Sequence, residues 1–237
     1  MEEKYLEKTE LLNYDAENIK TLINGRGWTL LCTYDKIKAV YEYVQNEILF
    51  GYNRSDLLTA EEVLTDGYGQ CNTKATLLMA LLRGVGIPCR LHGFEVNKQF
   101  QRGVTTGLIS LLAPETIVHT WAEVYYENRW VALEGVITDL NYVEAVKKKY
   151  RDHSGSFLLY AIATPDLRSL NVEWNGSDTY VQKEAVVKDY GTFDSPDAFF
   201  AQHTQKWSGL KDFAYVHIGR KIMMRNVEKM RKGLFRQ

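Results

Sequence analysis

Gly67-Tyr68-Gly69-Gln70-Cys71 opens directly onto the apolar stretch Thr73–Leu82. The pattern predicts a buried helix with a thiol at its start, ending near Gly84 or Gly86 with Pro88 as a stop signal. Unpaired N–H groups and the positive end of the helix dipole favour negative charge at that start. A cysteine there loses its proton more readily, whereas a buried structural cysteine has no need of the position.

A nucleophilic thiol needs a base, and the base needs a third group to orient it. Of the five histidines, His119 is the best base, because its neighbours can supply that group. Val118–Tyr126 and Trp130–Val136 read as strands around a turn at Glu127-Asn128. If Tyr126 pairs with Arg129, then Tyr125 faces Trp130 and His119 faces Val136. Glu134 is then a diagonal neighbour of His119 on the same face, roughly 7–8 Å away between backbones, which a glutamate can span. Asp139 has the opposite parity and is the fallback acid.

Other segments are read from periodicity. Ile37, Val40, Tyr41, Val44 and Ile48 predict an amphipathic helix over 36–49 with Asp35 as its cap. Thr59 and Glu62 form a capping-box pattern before a short helix. Cys89–Val96 alternates like a strand, residues 98–115 read as a loop or broken strand, 142–151 as a basic helix and Leu158–Ala163 as a strand. Asp194-Ser195-Pro196-Asp197 fits a helix start, within a segment, 190–209, that also carries Gly191 and Gly209.

Composition narrows the class. The chain has 237 residues, 45% hydrophobic and 25% charged, which suits a soluble globular protein of one large domain, or one domain with an elaboration. A net charge of −1 gives no bulk attraction to nucleic acid. Apolar runs such as Leu77–Leu82 are too short to cross a membrane, and Met1-Glu2-Glu3-Lys4-Tyr5 does not read as a secretory signal. Three cysteines without a Cys-x-x-Cys pair argue against a disulfide framework or a cysteine zinc site. Cys71 and Cys89 would sit at opposite ends of a rod of roughly 20 Å, beyond disulfide reach. Free thiols and a cytoplasmic compartment are expected. No calcium-loop pattern is present, so no metal and no cofactor are expected.

Leu58-Thr59-Ala60-Glu61-Glu62-Val63-Leu64, Gly69-Gln70-Cys71, Ala75–Arg83, Gly86-Ile87-Pro88-Cys89-Arg90, His119-Thr120-Trp121-Ala122-Glu123-Val124 and Trp130-Val131-Ala132-Leu133-Glu134 together resemble the transglutaminase-like superfamily. The resemblance covers about residues 36–140. It implies an α+β, papain-like fold in which a nucleophile-bearing helix packs on an antiparallel sheet. It also implies Cys71 as nucleophile, His119 as base and Glu134 as acid, where the family usually has aspartate. On this reading, 1–35 is an N-terminal extension, 36–140 the catalytic core and 141–237 a C-terminal elaboration packed on it.

The expected activity is cysteine-dependent hydrolysis of a peptide or protein amide through a thioester. The alternatives are acyl transfer between glutamine and amine side chains, or a silent binding module with the same fold. The oxyanion would be held by the Cys71 N–H and an upstream side chain. Gln70 and Trp28 are candidates, although Trp28 is more simply a packing residue, and Trp121 is site wall or core. His92, His153, His203 and His217 lack metal-ligand spacing. The basic stretch 220–232, with Met223, Val227, Met230 and Leu234 as an apolar stripe, is expected to pack on its own domain rather than on nucleic acid or membrane. Oligomeric state is left open.

Overall fold

A computed structural model describes residues 3–107, 110–111, 113–204 and 215–234. At its centre is helix α4, Cys71–Gly84. Leu77, Leu78, Met79, Ala80, Leu81 and Leu82 expose no surface. A helix apolar all round needs partners all round. These are α1 (Glu17–Gly25), α2 (Thr33–Asn46) and α3 (Ala60–Asp66) on one side and a four-stranded sheet on the other.

The sheet has the order β5-β4-β3-β8 and is antiparallel throughout. Its strands are β3 (Cys89–Asn97), β4 (Thr116–Tyr126), β5 (Arg129–Ala132) and β8 (Val186–Phe193). Glu127 and Asn128 both take positive φ, 47° and 59°, the conformation that a two-residue hairpin turn demands. Tyr125 faces Trp130 as expected. Ala122 and Val124 point into the core with α4, while His119, Trp121 and Glu123 occupy the opposite face. The arrangement is α+β, with the thiol-bearing helix packed on an antiparallel sheet.

Several boundaries differ from expectation. Helix α2 starts earlier, with Cys32 as N-cap, so Asp35 falls in its first turn and accepts a bond from the Cys32 thiol at 3.1 Å. The helix stops at Asn46 because Leu49–Phe50 (β1) pairs with Tyr68–Gly69 (β2). The single strand expected at 158–163 is a tight hairpin, β6 (Phe157–Leu159) and β7 (Ile162–Thr164), turned by positive φ at Tyr160 and Ala161. The Thr59 capping box is present, and Ser195 caps the short helix α6 (Pro196–Phe200). Gly209 and part of the 98–115 segment lie outside the described residues.

Beyond β5 come helix α5 (Leu140–Lys149) and, near the end, helix α7 (Arg220–Arg231). Met223, Val227 and Met230 are buried, whereas Leu234 is exposed. One apolar core runs from Leu11 to Met230, so the flanking segments share the interior with residues 36–140.

Candidate functional site

Cys71 is the first residue of α4, and two bonds fix this end of the helix against β4. Asn72 Nδ2 donates to the Val118 carbonyl at 3.2 Å, and Thr120 Oγ1 donates to Asn72 Oδ1 at 3.0 Å. The residue after Cys71 is therefore bonded to both neighbours of His119. The Cys71 thiol lies 3.6 Å from Asn72 Oδ1.

His119 Nε2 lies 2.9 Å from Glu134 Oε1, and neither side chain exposes any surface. Nδ1 forms no hydrogen bond in the resting geometry, which leaves that side of the ring to interact with Cys71. Burial opposes a charged ring here, but the adjacent Cys71 sulfur and the Glu134 carboxylate outweigh it and push the His119 pKa up to about 10. The direction of that shift favours the protonated ring at neutral pH.

Glu134 reaches His119 by a different route from the one its sequence position suggests. Strand pairing ends at Glu123–Ala132, and Glu134–Ile137 turn into a 3₁₀ helix, so His119 does not face Val136. The cause is a segment from far downstream. The Thr179 carbonyl accepts the N–H groups of Glu134 at 3.0 Å and Gly135 at 3.3 Å, and the Gly135 N–H is one that a longer β5 would give to β4. The second carboxylate oxygen, Oε2, accepts the main-chain N–H groups of Val181 at 2.9 Å and Gln182 at 3.1 Å. A buried carboxylate with three N–H donors is fully satisfied, which is the condition for burying it. Residues 178–182 escaped sequence reasoning because main-chain donors leave no residue-type signature.

The remaining candidates separate. Asp139 caps α5 through the Tyr142 N–H at 3.0 Å and pairs with Arg231 at 2.8 Å, so it is committed to structure away from His119. Arg231 and the Phe50 N–H hold its carboxyl below the usual range despite burial, which acts the other way. Trp28 packs in the core against Tyr43, ring centroids 5.4 Å apart, as a packing residue. Both ends of the Gln70 amide are used: Oε1 accepts the Asn53 N–H at 2.7 Å and Nε2 donates to Asp56 at 2.9 Å. Trp121 is buried 5.9 Å from the His119 ring and packs on Phe94 and Tyr180 as a wall. Tyr52, unnoticed in the sequence, is buried near enough to Cys71 for their charges to interact. Among the described residues, no group of three or more potential metal ligands occurs, and no helix is long and apolar enough to cross a membrane. All three cysteines are free thiols.

A cysteine on a helix start, a buried histidine on the adjoining sheet and a carboxylate behind that histidine define a cysteine–histidine–acid site. Residues 29–135 match the family described as the transglutaminase-like superfamily, which supports the resemblance over this core. The uncharacterised protein YebA of Bacillus subtilis (strain 168) is 28% identical over 110 residues, 43% of this chain. That match spans only 15% of YebA's own length. Among solved structures, a protein from Cytophaga hutchinsonii provisionally described as a cysteine protease aligns over 82% of this chain and 47% of its own. The TM-score is 0.46 at 15% identity.

Proposed function

We propose that the protein is a cysteine-dependent amide hydrolase with Cys71 as nucleophile, His119 as acid and base, and Glu134 as the group that orients the ring. The observation that carries this reading is the buried His119–Glu134 bond at 2.9 Å, with the other ring nitrogen left to Cys71.

The Cys71 thiolate attacks the acyl carbon of a peptide or protein amide, and the carbonyl π electrons move to oxygen. The oxyanion lies at the start of α4, where the Cys71 N–H and the helix dipole favour negative charge. Tyr52, buried and within charge-interaction range of Cys71, is the candidate for an added donor. The tetrahedral species collapses as His119 gives its proton to the departing nitrogen, leaving a thioester on Cys71 and a neutral ring. A water then attacks the thioester carbon while His119 takes its proton. The acid leaves and the thiolate–imidazolium pair returns. An amine in place of water would give acyl transfer by the same path. Water is favoured because it needs no second binding site. The free thiols suit a reducing, cytoplasmic setting.

The test is to trap the acyl-enzyme. Peptide and side-chain amides are screened, the reaction is quenched in acid, and Cys71 is examined by mass spectrometry. An acyl adduct on Cys71 that C71A lacks, decaying to free acid, is the expected result. Amide turnover that survives in C71A would refute the assignment.

A further inference from the structure

Glu134 is held from both ends, and the second end belongs to residues outside the matched family core. Val181 and Gln182 lie 47 and 48 residues beyond Glu134, and their N–H groups meet its Oε2. The segment that carries them is tightly fixed. The Thr179 N–H donates to the Ala132 carbonyl at 2.9 Å, and Asp178 Oδ1 accepts the Ala132 N–H at 2.8 Å. The Tyr41 hydroxyl bridges the Val172 carbonyl and the Thr179 hydroxyl. At the far end, the Ala163 N–H donates to the Val181 carbonyl, and Gln182 Nε2 donates to the Ala161 carbonyl.

Gly135 marks how close the segment comes. A Cβ there would lie 2.5 Å from the Tyr41 hydroxyl and 2.9 Å from Thr179 Cβ. Between its fixed ends, the segment also sets the Tyr180 ring 5.7 Å from Trp121, the aromatic neighbour of His119.

From this geometry we infer that residues 178–182 are a positioning element of the active site, whose Val181 and Gln182 N–H groups aim the Glu134 carboxylate at His119. The inference rests on the hydrolase reading and adds to it that the C-terminal elaboration completes the catalytic machinery. It also gives the glutamate a reason. Its carboxylate must span His119 Nε2 and the N–H pair at once, a reach that aspartate would lack by one methylene.

The test replaces Val181 with its α-hydroxy analogue in the full chain, turning one amide into an ester. This removes the N–H and keeps the buried side chain. Two signals are read: the rate at which iodoacetamide labels Cys71 near pH ~6, and solvent exchange of the His119 Nε2 proton by NMR. The ester is expected to slow labelling about tenfold, the worth of one hydrogen bond to a charged group, and to speed proton exchange. In an E134A background it should change neither signal, because the acceptor through which it acts is gone. Unchanged signals in the otherwise native protein, or the same slowing in E134A, would overturn the inference. If the ester loosens the His119 proton while Cys71 labelling never depends on His119, the hydrolase reading fails and the positioning role stands.

Discussion

Glu134 meets His119 at 2.9 Å with both side chains wholly buried, so the carboxylate and the imidazole form one unit that water does not reach. The ring is held in a single orientation by a group that cannot drift. The function proposed for Cys71 depends on that constraint, and the consequences can be measured.

Replacing Glu134 should grade the reactivity of Cys71. E134A leaves the ring unoriented and two main-chain donors unanswered, and it is expected to slow labelling of Cys71 by about a hundredfold. E134D keeps the charge with a shorter reach and should retain part of the rate, roughly a tenth. Labelling rates that are equal in all three proteins would remove Glu134 from the mechanism.

Two buried groups should oppose each other in the pH dependence of stability. His119, pushed up to about 10, holds a proton that the unfolded chain releases near ~6.5. Its contribution is complete below about pH 6.5 and disappears as pH rises through about 10. Lys74 is fully buried on α4 and donates to the Gln45 carbonyl at 3.2 Å. Burial lowers it to about 7 from an ordinary 10.5. The unfolded chain then binds the extra proton, so this term favours folding increasingly as pH rises from about 7. Urea unfolding of the native protein should therefore be nearly flat between about pH 7 and 10. K74M should lose stability across that range and H119N should gain it. A K74M slope matching that of the native protein would contradict both assignments.

Asp139 should matter for stability and not for chemistry. Its carboxylate is almost fully buried against Arg231, and R231M leaves it unpaired, an expected loss of about 3–5 kcal/mol in chemical denaturation. In D139N, the folded protein should label Cys71 with the native pH profile. A profile displaced as in E134A would return Asp139 to the site.

What could be read from residues alone follows from where information resides in a chain. The α4 helix, the Thr59 capping box and the Tyr125–Trp130 register are local patterns, and each was legible. Glu134 could be chosen over Asp139 from parity, although its true path, off the strand and onto a 3₁₀ turn, could not. That path is set by Thr179, and the acid is braced by the main chain of Val181 and Gln182. Backbone N–H groups are common to nearly every residue type, so nothing in 178–182 distinguishes a brace from a loop. Asp139 and Arg231 are 92 residues apart, and their pairing is likewise a product of folding. Tyr52 escaped notice because only tertiary packing brings it to Cys71.

The most direct measurement is thiol alkylation against pH with a small neutral probe, each cysteine followed by mass spectrometry. Cys32 is exposed and serves as the internal comparison, while Cys89 is buried with its pKa raised to about 11 by burial. A thiolate–imidazolium pair requires that Cys71 label fastest near pH ~6 and that H119A slow it while leaving Cys32 unchanged. If Cys71 instead gains reactivity only around pH ~8.5, the value for an ordinary thiol, and H119A makes no difference, the pair does not exist and the hydrolase assignment is wrong.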